Sequence, residues 1–455
     1  MFIFDEKTMP LEPSSPSVCP KVLALASNLP ASLQASTKHL NLNEDYNSAN
    51  NKHKINKSST TFSSISTNDD VSSSSNIRAT GSNSSAEELH NQIKKLPIVD
   101  LKFWDRSEKD REEISSTLRE VCQESGFFYL ANHGVSPELM DNALAASEEF
   151  FALPLEQKKE IEWHKCFIGE IHPASARGYF TLRGEALDPD AEGDDKEFLD
   201  MGENVDLSSI SIKDPREKPF HGPMKWPKIV LEEKKHIKDT LEEYIEESKK
   251  AARKLLQVIA FSLSFNIDFF ESLTDDPMII HRIIHYPAIE KFEESGLRIS
   301  AGKHTDYGLI TLLYQVEYGL QIRQNISTQG EKQWVWVPPP PQRHLFTVNI
   351  GDGIQILTNQ RYVSTMHRVV NVSGRERYSV AFFFDANFDA VLKPILQTPA
   401  EKRMGEKEQS PKFEQLAAGQ VKLAKYQAVW STEKELVQID HEVDCKTVED
   451  VLFRQ

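Results

Sequence analysis

Cysteine is scarce: four occur in 455 residues, Cys19, Cys122, Cys166 and Cys445, far apart and without a Cys-x-x-Cys pair. That excludes a disulfide-built scaffold and a zinc knuckle, and it suits a reducing compartment. Long apolar runs are missing as well; none approaches the ~20 residues that a membrane-spanning helix needs. The start, "MFIFDEKTMPLEPSSP", has no basic segment leading into an apolar core, and its early acids are wrong for a transit peptide. Positive charge is in deficit: 53 Lys and Arg against 69 Asp and Glu leave a formal charge of −16. A sequence-independent grip on nucleic-acid phosphates or anionic lipid is therefore disfavoured. No internal repeat is visible. These absences lead us to expect a soluble, cytoplasmic protein with neither nucleic-acid nor membrane partners.

What is present divides the chain. Residues 1–92 are Ser/Thr/Asn-rich, as in "INKSSTTFSSISTNDDVSSSSNIRATGSNSSAEE", and cannot bury enough apolar surface to offset their ordering entropy. A disordered tail is expected there, with a mildly apolar segment from Val22 to Leu33. Folded structure is expected from "LPIVDL" at Leu96. In the next segment Ile114, Leu118, Val121 and Cys122 mark one helix face, and "GFFYLANHG" reads as a strand ending in a turn. Ser136 followed by Pro137 opens a second helix. The stretch from Phe167 to Pro227 reads as loops able to cover a site. Its acidic part, "GEALDPDAEGDDKE", lacks a calcium-loop spacing and is expected to be a solvated loop. A third, long helix is expected from Ile229 to Leu263, where Ile237, Leu241, Tyr244, Ser248, Ala251, Leu255 and Val258 recur every three or four residues. After Asp275 the pattern turns to short strands: "IIHRIIHYP", "LITLLYQ", "LQIR", "QWVWVP", "LFTVNIGD", "IQILT", "STMHRVVNV" and "RYSVAFFF". Helices first and strands second imply an α+β domain built around a jelly roll.

Two polar residues interrupt the entry to one of these strands. In "GKHTDYGLITLLYQ", His304 and Asp306 stand two positions apart, a spacing that puts alternate strand residues on one face. They could be a hydrogen-bonded pair, or two thirds of a metal site. A third ligand could come from His367 in "STMHRVVNV", since two imidazoles and one carboxylate with open positions suit non-haem Fe(II). Arg377 and Ser379 follow in "RYSVAFFF", with "VSGRE" read as a hairpin turn between the two strands. An arginine facing a barrel interior is costly unless it meets an anion. With the adjacent hydroxyl it would clamp a carboxylate; pairing to a protein Asp or Glu is the plainer alternative. "HRIIH" lacks the Glu of a zinc-protease helix, and Pro338 to Pro341 read as a rigid connection.

From Leu96 to Lys393 the chain resembles the 2-oxoglutarate- and Fe(II)-dependent oxygenases of the isopenicillin N synthase-like group. The likeness is carried by "LPIVDL", "GFFYLANHGV", "EFFALPLEQK", "ARGYF", "DDKEFLDMG", "IIHYP", "GKHTDYGLITLL", "WVWVPP", "VNIGD", "HRVV" and "RYSVAFFF". It implies a distorted double-stranded β-helix, a jelly roll with supporting helices. It implies His304, Asp306 and His367 as iron ligands, Arg377 and Ser379 on the distal carboxylate of 2-oxoglutarate, and Tyr286 as a further donor to it. Dioxygen would be the second cosubstrate, and a small organic molecule would be oxidised. Many plant members have Asn two positions before that Tyr; here it is Ile284. The implied division is 93–228 for the N-terminal α/β region, 229–275 for the long helix, 276–393 for the jelly-roll core and 394–455 for a C-terminal extension. For the substrate pocket, Phe383 shares the face of Arg377 and Ser379, Tyr179 in "RGYF" could close it, and Arg282 could touch a ligand or form a salt bridge. An oxidase of this fold that uses no 2-oxoglutarate, and an inactive binding module, are the alternatives.

Overall fold

The computed structural model describes residues 94–425, apart from 164–176, 189–192, 204–219, 222–223, 289–298, 326–331, 372–373 and 423–424. The Ser/Thr-rich stretch and the acidic end beyond residue 425 lie outside the described residues. Among the described residues no helix is long and apolar enough to cross a membrane.

Three long helices form one layer. Helix α1 (Glu108–Glu124) is capped by Ser107, whose hydroxyl accepts the Asp110 amide at 3.2 Å, and buries Leu118, Val121 and Cys122. Helix α2 (Pro137–Phe151) starts as its Ser-Pro pair dictates, with the Ser136 hydroxyl accepting the Leu139 amide at 3.1 Å. The long amphipathic stretch divides into α3 (Lys228–Glu232) and α4 (Lys235–Ser262), because the Ile229 carbonyl accepts both the Glu233 and Lys234 amides and closes the first turn early. The seven-residue stripe from Ile237 to Val258 on α4 is buried throughout.

The strands are β1 (Ile98–Asp100), β2 (Phe127–Ala131), β3 (Gly178–Phe180), β4 (Glu197–Met201), β5 (Pro277–Tyr286), β6 (Ile299–His304), β7 (Ile310–Gln315), β8 (Leu320–Asn325), β9 (Lys332–Trp336), β10 (Phe346–Ile350), β11 (His367–Val370) and β12 (Arg377–Asn387). They make an eight-stranded major sheet, ordered β1-β2-β10-β7-β12-β5-β4-β3, and a four-stranded minor sheet, ordered β6-β11-β8-β9. Strand alternation sorts the side chains between layers. On β12, Val380, Phe382 and Phe384 join the helix-side core, whereas Ala381 and Phe383 face inward. Two inner clusters tie the sheets together: one joins Phe127 and Tyr129 to Leu320, Ile322 and Val335, the other joins Phe198, Ile284 and Tyr286 to Ala301 and Val369. The α+β jelly roll with supporting helices is thus the fold of this chain.

Four local expectations are corrected. "IQILT" is not a strand but part of helix α5 (Asp352–Leu357), all six residues of which are buried; an unbroken apolar run has no period to separate the two states. The stretch expected as loops supplies β3 and β4, which extend the major sheet through pairing of β4 with β5. His304 and Asp306 do not share a strand: β6 ends at His304, and Asp306 lies in the crossing to β7 in the other sheet. Nor do β11 and β12 form a hairpin, since β11 pairs with β6 and β8 while β12 pairs with β5 and β7.

Candidate active site

The minor sheet brings the two histidines together. His304, the last residue of β6, and His367, the first of β11, are direct partners in an antiparallel register, with ring centroids 4.3 Å apart. Asp306 reaches them from the crossing loop, which is pinned where the Asp306 carbonyl accepts the Asp352 amide at 2.8 Å. Its Oδ1 lies 3.7 Å from His304 Nε2 and 3.6 Å from His367 Nε2. One ligand atom from each residue lies within 4.8 Å of the others, a set able to hold a metal ion.

The outer atoms of all three are already committed. His304 Nδ1 lies 2.7 Å from the Gly302 carbonyl, and His367 Nδ1 lies 3.1 Å from that of Thr365. A carbonyl only accepts, so each Nδ1 carries the proton and each Nε2 turns a lone pair inward. Asp306 Oδ2 accepts the Thr311 hydroxyl at 2.5 Å and the Asn349 amide at 2.6 Å, leaving Oδ1 for the centre. Burial, aided by His367, pushes His304 down to about pKa 3, so the ring is neutral. Burial alone would raise Asp306, but His367, His304, Asn349 and Thr311 together hold it below its usual value. A neutral imidazole beside an ionised carboxylate is the protonation state that metal ligands need.

The major sheet carries a cation. Arg377 is 1% exposed and pairs in register with Tyr286, whose ring centroid is 4.7 Å from the guanidinium carbon. Nη1 donates to Ser379 Oγ at 3.4 Å and Nη2 to Gln315 Oε1 at 2.9 Å, while Nε has no partner. No carboxylate among the described residues pairs with it.

A cavity open on one side, about 570 Å³ counting its mouth, adjoins His304 and Asp306; Phe383, Arg282, Glu185 and Tyr307 are among its walls. Arg282 donates to both Asp200 oxygens at 2.6 and 2.7 Å and pairs with Glu185 at 3.2 Å, so it forms a salt bridge and lines the cavity at once. Tyr179 does not line it. Alternation on β3 turns Phe180 inward and sends Tyr179 to the helix side, beside Phe150, where its hydroxyl donates to Glu197.

The acidic segment expected to be solvated is instead partly buried. Lys196 pairs with Glu185 and Asp194, both at 2.8 Å, and Asp194 accepts the Gly302 amide at 2.9 Å. Gly302 is the residue whose carbonyl fixes His304, so this loop braces a histidine of the centre. Arg282 and Lys196 hold Glu185 down at about pKa 2 against the opposing effect of burial. Sequence reasoning missed Gln315, Thr311 and Asn349 because isolated amides and hydroxyls in strands carry no signal until their partners are known. The charge density of "DAEGDDKE" was a signal, read as solvation.

The jelly roll thus carries two histidines on one sheet, an aspartate from the crossing loop beside them, and on the other sheet a buried cation with no carboxylate partner among the described residues, an arrangement suited to a metal ion and an anion. Family models agree: residues 96–229 match the non-haem dioxygenase N-terminal region named for morphine synthesis, and residues 275–386 match the 2OG-Fe(II) oxygenase superfamily. The 2-oxoglutarate-Fe(II) type oxidoreductase hxnY of Emericella nidulans is 34% identical over 299 residues, covering 65% of this chain and 81% of the relative. A full-length Neurospora crassa protein solved in complex with alpha-KG superposes with a TM-score of 0.57 at 26% identity, over 71% of this chain and 93% of that one. JOX2 in complex with 2OG, Fe and JA does so with a TM-score of 0.53 at 28% identity, over 73% and 88%. The chain belongs to the 2OG-Fe(II) oxygenase superfamily. It is a 2-oxoglutarate-dependent Fe(II) dioxygenase, an oxidoreductase acting on a small organic substrate.

Proposed function

We propose that His304, Asp306 and His367 hold the Fe(II), that Arg377 and Ser379, with Tyr286 beside them, hold the distal carboxylate of 2-oxoglutarate, and that the adjoining cavity takes the substrate between Phe383 and Arg282. The observation that carries this reading is Arg377: a buried guanidinium with an orphan Nε and no carboxylate partner among the described residues fits a dianionic cosubstrate. The donor set fits the metal, since two imidazole nitrogens and one carboxylate oxygen converge and leave positions open.

Bound Fe(II), with 2-oxoglutarate and dioxygen, supplies the oxidative decarboxylation that is coupled to hydroxylation or a related oxidation of a substrate C–H bond. The chain's own residues do the rest. The Gly302 and Thr365 carbonyls keep both imidazoles in one tautomer, and Asn349 and Thr311 keep Asp306 ionised and turned inward. Arg377 sets the cosubstrate's orientation through a charge-assisted fork, and the apolar wall at Phe383 excludes water. The scattered cysteines, with Cys122 a buried free thiol, favour a reducing compartment, which we read as the cytoplasm. The deficit of positive charge favours a small-molecule partner over nucleic acid.

The test is stoichiometric succinate release from 2-oxoglutarate under air with Fe(II), abolished in Asp306→Ala. Full turnover without added 2-oxoglutarate would favour an oxidase of the same fold and overturn the cosubstrate assignment.

A further inference from the structure

The chain past the jelly-roll core returns to the metal group. Leu416–Ala417 pairs antiparallel with Val391–Leu392, just beyond β12. The Ala418 and Gly419 amides then donate to the Ala390 and Phe388 carbonyls at 2.9 and 2.8 Å. Residues 418–422 are helical and lead to Lys425, which is 4% exposed. Its Nζ meets the Asp352 carboxylate, lies 3.1 Å from Thr305 Oγ1, and stands 4.8 Å from the Tyr307 ring centroid. The Thr305 hydroxyl is itself 3.0 Å from Asp352 Oδ2. An ammonium only donates and a carboxylate only accepts, so this hydroxyl accepts from Lys425 and donates to Asp352. The three groups close a ring of hydrogen bonds in which every direction is set.

Thr305 stands between His304 and Asp306, whose ligand atoms converge on the centre while its own side chain is tied to this ring. Asp352 grips the same crossing a second time through its amide, which donates to the Asp306 carbonyl at 2.8 Å. The Gly351 and Gly353 amides take the Leu309 and Gly308 carbonyls, each at 2.9 Å. Stability alone does not account for the charges. Asp352 is 2% exposed, and burying two charges costs about what their attraction returns, so an apolar pair of like volume would serve as well or better. An apolar pair could not fix the Thr305 hydroxyl or the rotamer of Asp352. The charges set geometry.

Building on the proposed function, we propose that Lys425 is a positioning residue for the metal centre: through Asp352 and Thr305 it fixes the backbone between His304 and Asp306, and with it the separation of their ligand atoms. The C-terminal segment, beyond the residues 275–386 that match the oxygenase superfamily, is then part of the metal-binding unit.

The experiment titrates the metal-free full chain with Co(II), reading affinity by competition with a chelating dye and ligand geometry from the visible d–d bands. In Lys425→Met/Asp352→Asn both charges go, while Asn can still accept the Thr305 hydroxyl, so the variant isolates the tie to the C-terminal segment. Its Co(II) affinity should fall about tenfold, with the bands displaced. Thr305→Val removes the hydroxyl at nearly constant volume and should give a similar loss; it decides the matter if the double variant no longer unfolds cooperatively. The control is Lys158→Met/Glu197→Gln, another buried pair, 2.8 Å apart, whose further partners are Phe151, Tyr179 and His285. It should lower the unfolding midpoint and leave Co(II) affinity and spectrum as in the wild type. Wild-type affinity and bands in Thr305→Val or in a folded double variant, or an equal loss in the control, would each overturn the inference. A wild type that binds no Co(II) would overturn the functional reading, and this inference with it.

Discussion

Replacing Arg377 by Met separates a ligand-binding cation from a structural one. The guanidinium can offer a ligand two charge-assisted hydrogen bonds, each worth about 1.5–3 kcal/mol. Taking the lower figure for both, because Ser379 remains, the variant loses about 3 kcal/mol, which raises the 2-oxoglutarate Kd roughly 150-fold. At 2-oxoglutarate equal to about 100 times the wild-type Kd, the ligand stabilises the wild type by about 2.7 kcal/mol but the variant by only about 0.3 kcal/mol. Without 2-oxoglutarate two effects oppose. Gln315 Oε1 loses the donor it has at 2.9 Å, which costs about 1–3 kcal/mol. Relief comes from removing a buried cation that no carboxylate among the described residues compensates. The ligand-free proteins should therefore agree within about 1 kcal/mol. The assay is chemical denaturation with and without 2-oxoglutarate, in the presence of Zn(II) to prevent turnover. An unchanged 2-oxoglutarate response, or a ligand-free loss of about 3–5 kcal/mol as for a broken buried ion pair, would refute the reasoning.

Two further outcomes follow from the same geometry. Asn349→Leu removes the 2.6 Å donor to Asp306 Oδ2 and should weaken metal affinity about 10–100-fold, read by competition with a chelating dye; unchanged affinity would show that Asp306 needs no such support. The third concerns pH. Burial pushes His281 and His304 down to about pKa 3, from an ordinary value of 6.5. Below pH 6.5 the unfolded chain takes up protons that the folded chain refuses, so stability falls as pH drops from 6.5 towards 3, by about 1.4 kcal/mol per pH unit for each histidine. His281, with no partner for either nitrogen, can be tested alone: His281→Leu should remove its share of the slope, measured as urea midpoints between pH 7 and 5.5. A slope identical to wild type would show that His281 is protonated in the folded state.

Periodicity and capping made the helices legible: Ser107 and Ser136 cap as their positions suggest, and the α4 stripe is buried as its spacing requires. Elements buried on every side were harder, because burial erases alternation. That is why α5 was taken for a strand, and why β4, whose five residues are all buried, was taken for loop. The polar residues that form the centre were recognisable by type, but the reason offered for His304 and Asp306 was wrong. They converge through a sheet crossing, with His367 supplied by a facing strand, not through alternation along one strand.

The register pairs that place His367 opposite His304 and Arg377 opposite Tyr286 belong to different sheets. On the proposed assignment, one end of the cosubstrate is held by each sheet, and the roughly 10 Å thickness of a packed sandwich becomes a calliper set by core side chains. Phe198 and Ile284, in contact with Ala301 and Val369, are then the spacers of that calliper. Selectivity for the length of a dicarboxylate would reside in an apolar contact that touches neither of its ends.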